Sequence, residues 1–87
     1  MHRTILLEKK IFTAISKCML TNDHLSSFKE TLTFREIPYG EDQTYSKDVI
    51  IHVVSSKRYR FELRFNKDTN QFSSFAFIDD SKWSEHD

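Results

Sequence analysis

Lys57, Arg58, Arg60, Arg64 and Lys67 fall on or beside one stretch of the chain, next to Tyr59 and Phe61. Basic residues interleaved with aromatics are the side chains that hold phosphates and stack bases. In a strand, however, side chains alternate between faces. That puts Arg58, Arg60 and Arg64 on one face and Tyr59, Phe61, Leu63 and Phe65 on the other. The two groups cannot grip one base together unless Phe72 or His52 supplies the stacking platform. Glu62 interrupts the positive row, and Asp48 and Asp79 are candidates for ion pairs across strands. A nucleic-acid interface on residues 58–65 is therefore the second reading of this strand, behind a solvated face whose charges pair with one another.

The other reactive residues do not gather in the sequence. The four histidines, His2, His24, His52 and His86, and the single Cys18 show neither i, i+3 nor i, i+4 spacing and no CxxC pair, so no metal centre is expected. His52 reads as a half-buried sheet residue, and Cys18 as core packing rather than a nucleophile. Asp79, Asp80, Glu85 and Asp87 suit capping and solubility better than a divalent cation or a shared proton. Gly40 is the only glycine, so there is no phosphate-cradling loop, and no Ser, His and acid constellation emerges. These residues imply a protein that is not an enzyme and needs no cofactor.

The elements that must position these residues follow from periodicity. Over residues 3–20, Leu7, Ile11, Phe12, Ala14, Ile15, Cys18 and Met19 gather in one arc of a helical wheel, with Lys9, Lys10, Thr13, Ser16 and Lys17 opposite. Glu8 falls inside the apolar arc, near its exposed end. Thr21, Asn22 and Asp23 end this helix and can cap another. Leu25, Phe28 and Leu32 keep helical spacing and Ser27 with Glu30 has that of a capping box, yet Leu32 and Phe34 also alternate with polar neighbours. The reading taken is a short helix near 23–28 and a strand over about 30–37, stopped by Pro38 and Gly40. A polar connection over 38–47 leads to three strands at 49–54, 58–65 and 72–78, joined by short polar segments that suit hairpins. A last helical turn capped by Asp80 and Ser81 is expected around Lys82, Trp83 and Glu85.

The whole is one α+β domain over residues 1–87: an N-terminal amphipathic helix packed on one face of a three- or four-stranded antiparallel meander, with a short second helix. A chain of 87 residues permits one thin core, which 38 per cent hydrophobic residues, among them eight Phe, three Tyr and one Trp, can fill without a disulfide. Thirteen basic and thirteen acidic residues cancel, so no overall field draws the chain to nucleic acid or anionic lipid. Charges recur through the first twenty residues, which therefore form neither an export signal nor a membrane span, and the lone cysteine fits a reducing cytoplasm.

One helix covers one face of a sheet. The other face is expected to carry Ile50, His52, Phe72 and Ile78 beside Arg58, Arg60 and Arg64, a mixture of the types that concentrate at interface cores. The function expected is a small protein-binding module of inhibitor or adaptor type, acting through that face or an edge strand on another protein or on a second copy of itself.

Overall fold

The first helix, α1 (His2–Cys18), forms as the wheel predicts in the computed structural model, which describes residues 2–43 and 47–79, although Phe12 and Met19 of its apolar arc stay half-exposed. Ile11, Ala14 and Cys18 are fully buried, Leu7 and Ile15 pack beside them, and Glu8 is half-buried at the rim of the apolar arc. The helix ends where Thr21 turns back: its backbone N–H and its hydroxyl both donate to the Cys18 carbonyl, at 3.0 and 2.7 Å.

The second helix, α2 (His24–Phe34), is longer than the turn expected at 23–28 and replaces the strand expected over 30–37. Leu25, Phe28 and Leu32 are all buried, whereas Phe34, which a strand would have carried on the same face as Leu32, is 86% exposed. Helical spacing won because it alone puts all three large side chains in one core. The cap is Asp23, not the Ser27 and Glu30 pair: its carboxylate accepts from the Ser26 N–H and from the Ser26 hydroxyl, both at 2.9 Å. Asn70 also donates to Asp23, across 47 positions of sequence.

These bonds to Ser26 hold the Asp23 carboxyl below its usual range, and the Lys29 ammonium does the same for Glu41 through a 2.9 Å ion pair. A carboxyl whose pKa falls on folding adds stability above its unfolded pKa and loses it as pH drops through the folded value. The native state should therefore weaken below about pH 4. Asp23→Asn, which keeps the cap, should flatten this acid limb, while Asp23→Ala should lower the melting temperature at neutral pH as well.

The end of α2 is a Schellman motif. Glu36 takes the left-handed conformation (φ 59°), its N–H donates to the Thr33 carbonyl at 3.1 Å, and Ile37 N–H donates to the Leu32 carbonyl at 2.8 Å. Ile37 is buried in the same cluster as Leu32, the apolar contact that accompanies this motif, and Pro38 follows where the helix cannot continue. A glutamate at this left-handed position is strained where glycine is not. Glu36→Gly should raise stability by about 1 kcal/mol, read as a higher urea midpoint at unchanged m-value.

Four antiparallel strands follow in the order β1-β2-β3-β4: β1 (Gly40–Asp42), β2 (Asp48–Val54), β3 (Tyr59–Asn66) and β4 (Phe72–Asp79). The last three match the expected strands within a residue or two. The first lies inside the segment read as a connection, because the chain leaves α2 only at Ile37. Val49, Ile51 and Val53 from β2 and Phe61, Leu63 and Phe65 from β3 are buried under the helices. Phe28 meets Phe65 with ring centroids 5.4 Å apart, and Phe12 of α1 meets Phe75 of β4 at 5.1 Å. Thus α1 lies toward β4, and α2 toward β1, where Lys29 reaches Glu41.

The turn between β3 and β4 docks on the connection between the helices. Leu25 N–H donates to the Asn70 carbonyl at 3.0 Å, and Phe72 N–H donates to Nδ1 of the buried His24, also at 3.0 Å. The acceptor role places the proton of that ring on Nε2. Asn70 itself is left-handed (φ 59°), a conformation asparagine tolerates better than most residues. The helical turn expected around Lys82, Trp83 and Glu85, with His86 and the carboxylates of Asp80 and Asp87, lies outside the described residues.

Candidate functional site

Both helices pack on one side of the sheet, and no element among the described residues covers the other. The alternation of β3 places Arg60, Glu62 and Arg64 on this outer face, directly opposite Val54, His52 and Ile50 of β2 and Ile78, Ala76 and Ser74 of β4. Ile50, His52 and Ile78 are half-buried between the long polar side chains, and Val54 is 69% exposed. The face is mixed, as the strand pattern predicts, with arginine stems flanking aliphatic groups.

Phe72 does not belong to it. The register between β3 and β4 shifts at Arg64 and Phe65, so that Arg64 faces Ser74 and Phe65 faces Phe72, leaving Ser73 as the extra residue of a bulge. The bulge turns the Phe72 ring toward the helices, where it meets Phe65 edge-on with centroids 5.6 Å apart. One inserted residue moves a side chain to the other face, which corrects the placement of Phe72 among the interface residues. Arg58 lies just before β3, beside the β2–β3 turn: its Nε is 3.3 Å from Asp79 Oδ1, and its guanidinium sits 5.4 Å from the Tyr59 ring centroid.

Glu62 organises the remaining charges. Its Oε1 accepts from Arg64 Nε at 3.1 Å and Nη2 at 2.9 Å, and its Oε2 lies 3.5 Å from Arg60 Nη1. Arg64 also approaches Asp48 at 3.8 Å. Arg60 Nη1 is 2.7 Å from His52 Nδ1; arginine only donates, so this ring nitrogen accepts and its proton is on Nε2. The side chain of Glu62 is 14% exposed, those of Arg60 and Arg64 about a third. Glu62, which interrupts the positive row along the sequence, is thus its centre in the sheet. Alternation along β3 signalled this, since 60, 62 and 64 must share a face.

The arrangement bears on chemistry in two ways. Arg58, Arg60 and Arg64 each have a carboxylate within 4 Å, so they present little unbalanced positive charge to a phosphate. His52 has one ring nitrogen occupied by Arg60, and among the described residues no three potential metal ligands come together. A shallow groove between α1 and α2, lined by Lys17, Ser27, Glu30, Phe34 and Arg35, also includes Asp23, whose carboxylate is engaged as the helix cap.

Cys18 is fully buried, and burial pushes its thiol up to about 11. The thiolate is the nucleophile, so native protein should react with a thiol reagent at neutral pH at least about a hundredfold more slowly than the urea-unfolded chain. Because the folded pKa lies above the unfolded one, this contribution to stability is complete below about pH 9 and is lost as pH rises toward 11.

Among the described residues no helix is long and apolar enough to cross a membrane. No family model, characterised protein or solved structure matches this chain, and its function is therefore read from the geometry of the outer face.

Proposed function

We propose that this chain is a small non-catalytic protein-binding module of inhibitor or adaptor type, working in the cytoplasm, that receives its partner on the outer face of the sheet. The observation that carries the reading is the placement of both helices on one side, which leaves Ile50, His52, Arg60, Arg64 and Ile78 together on the other. Arginine is enriched among the residues that dominate interface energetics. Here Glu62 and His52 already hold the two guanidiniums in place, so less side-chain freedom remains to be lost on binding. Charges paired within the face favour a protein surface of mixed polarity over a polyanion, whose affinity depends on unpaired cations releasing counterions.

The test compares capture from the native host by the wild-type chain and by an Arg60→Glu, Ile50→Ser variant of unchanged circular dichroism. The captured partner, once purified, should bind the variant at least about tenfold more weakly, a loss of about 1.4 kcal/mol. Equal affinity for the two forms overturns the reading. So does an oligonucleotide affinity that falls steeply with salt and weakens in Arg60→Ala and Arg64→Ala, which would establish the nucleic-acid alternative.

A further inference from the structure

The two edges of the sheet differ. β1 is three residues long, lies at the surface, and carries Glu41 and Asp42, a short charged edge that resists pairing with another strand. β4 has eight residues and, from 72 to 78, neither a charge nor a proline or glycine.

The direction of its backbone groups follows from the bonds at the strand ends. Ser55 N–H donates to the Tyr59 carbonyl and Lys67 N–H to the Lys47 carbonyl, so odd-numbered positions of β3 address β2, while Asn66 N–H donates to the Gln71 carbonyl, so even-numbered positions address β4. Ser74, Ala76 and Ile78, opposite the even positions, are the residues bonded to β3. Phe75 and Phe77 therefore aim their N–H and C=O groups away from the sheet.

Phe12, Ile15 and Met19, of α1 and its C-terminal turn, share one helical flank by their i, i+3, i+7 spacing, and Phe12 brings that flank to β4. Phe12 meets Phe75 at a tilt and remains 46% exposed; Met19 is 50% exposed, and Phe77 is 43% exposed. Exposed apolar surface of Phe12 and Phe77 thus lies beside backbone groups that meet no partner among the described residues.

We propose that β4 pairs with β4 of a second copy of this chain, antiparallel about a two-fold axis at Ala76, to give a continuous eight-stranded sheet. This register sets Phe75 opposite Phe77 of the second copy and Phe77 opposite its Phe75. All the outward N–H and C=O groups of these residues are then satisfied by four hydrogen bonds. The two Ala76 residues meet at the axis as a close, non-hydrogen-bonded pair, which their small side chains permit. Asp79, the only charge in β4, faces position 73 rather than its own counterpart, so like charges are not opposed. The shared edge, residues 73–79 of each copy, is about 23 Å long, and with α1 one layer above it offers roughly 400 Å² in projection. Stable interfaces bury ~800 Å² per partner, so this smaller edge is expected to pair at high protein concentration, with backbone hydrogen bonds as the main attraction. Self-complementarity of one patch is what a two-fold dimer requires.

This inference does not depend on the outer-face reading, and its test does not use a partner. Mass is measured by light scattering up to millimolar concentration, with amide hydrogen exchange on the same samples. A dimer of about 21 kDa, twice the 10.4 kDa chain, is expected. The Phe75 and Phe77 amides should exchange at least about tenfold more slowly at concentrations where it forms than at high dilution, while the Ser74, Ala76 and Ile78 amides are protected at both. Ala76→Lys puts two ammonium groups at the axis of a dimer, but in one copy sets its lysine opposite Glu62, so it should stay folded and run as a monomer. A chain of 10.4 kDa at every concentration, or a dimer in which the Phe75 and Phe77 amides stay unprotected, overturns the proposal. The exchange pattern of the wild-type chain decides the matter if the variant fails to fold. Loss of the outer-face partner in the Arg60→Glu, Ile50→Ser variant leaves this result untouched, and the converse holds.

Discussion

Phe61→Ala is expected to remove about 3–5 kcal/mol of stability, the range for truncating a fully buried aromatic ring. Phe61 lies near the middle of the β3 core face with none of its surface exposed, and its ring meets those of Phe75 and Phe77 at 5.6 and 4.9 Å. Those partners belong to an edge strand, which cannot follow the cavity inward without breaking its register with β3, so much of the lost volume stays empty. Roughly 0.05–0.15 kcal/mol per residue is the usual stability of a folded domain, which for 87 residues is about 4–13 kcal/mol. The variant should therefore be at the limit of folding, with a melting temperature lower by about 15 °C or more. Ile78→Ala, on the outer face of the neighbouring strand, should cost no more than about 1 kcal/mol, since Ile78 is only half-buried. Equal losses from the two substitutions would mean that the core is not confined to the helix side.

Glu62→Ala is expected to cost about 2 kcal/mol, well above the usual effect of a surface charge. An exposed ion pair contributes little because water screens it and two flexible chains must be held. Glu62 differs in being 14% exposed and shared by two arginines, one of them through two nitrogens. Its removal leaves Arg60 and Arg64 partly desolvated with like charge on one face, and charged hydrogen bonds of this kind are each worth about 1.5–3 kcal/mol before solvent exposure of the arginines reduces them. A double-mutant cycle of Glu62→Ala with Arg64→Ala should show coupling of about 1 kcal/mol that weakens with salt. A cost under about 0.5 kcal/mol, typical of plain surface substitutions, would mean that Glu62 does not hold the arginines. Glu62→Ala is also expected to weaken the outer-face partner more than its distance from any one contact suggests, because the two guanidiniums would have to be ordered during binding.

The two faces of β3 thus separate two kinds of consequence. Truncation on the helix side is a loss of folding, whereas on the outer side it is chiefly a loss of order among side chains that a partner would meet. The β4 edge is a third surface, distinct from both, because there the outward backbone groups of Phe75 and Phe77 meet no partner among the described residues.

Where a pattern had one solution, periodicity alone gives the element and its facing. α1 has a helical stripe from Leu7 to Cys18, and β3 alternates so strictly that Phe61, Leu63 and Phe65 are assigned to the core from periodicity alone, a face that Val49, Ile51 and Val53 of β2 can share although Ile50 and Val54 are apolar too. The position of Arg60, Glu62 and Arg64 on the opposite face follows from the same alternation. Three features were settled only by tertiary structure. Residues 30–34 fit both a helix and a strand locally, and the choice fell to the helix because only there do Leu25, Phe28 and Leu32 reach one core, with Phe34 left in water. β1 exists because β2 has an edge to pair with, not because Gly40, Glu41 and Asp42 favour a strand. Phe72 turned inward because one extra residue at Ser73 shifts the register, and side-chain facing in a sheet depends on a count of residues that a partner strand imposes. Local periodicity says which way a side chain points along its own strand, but bulges, edges and competing periods are resolved by what lies across from it.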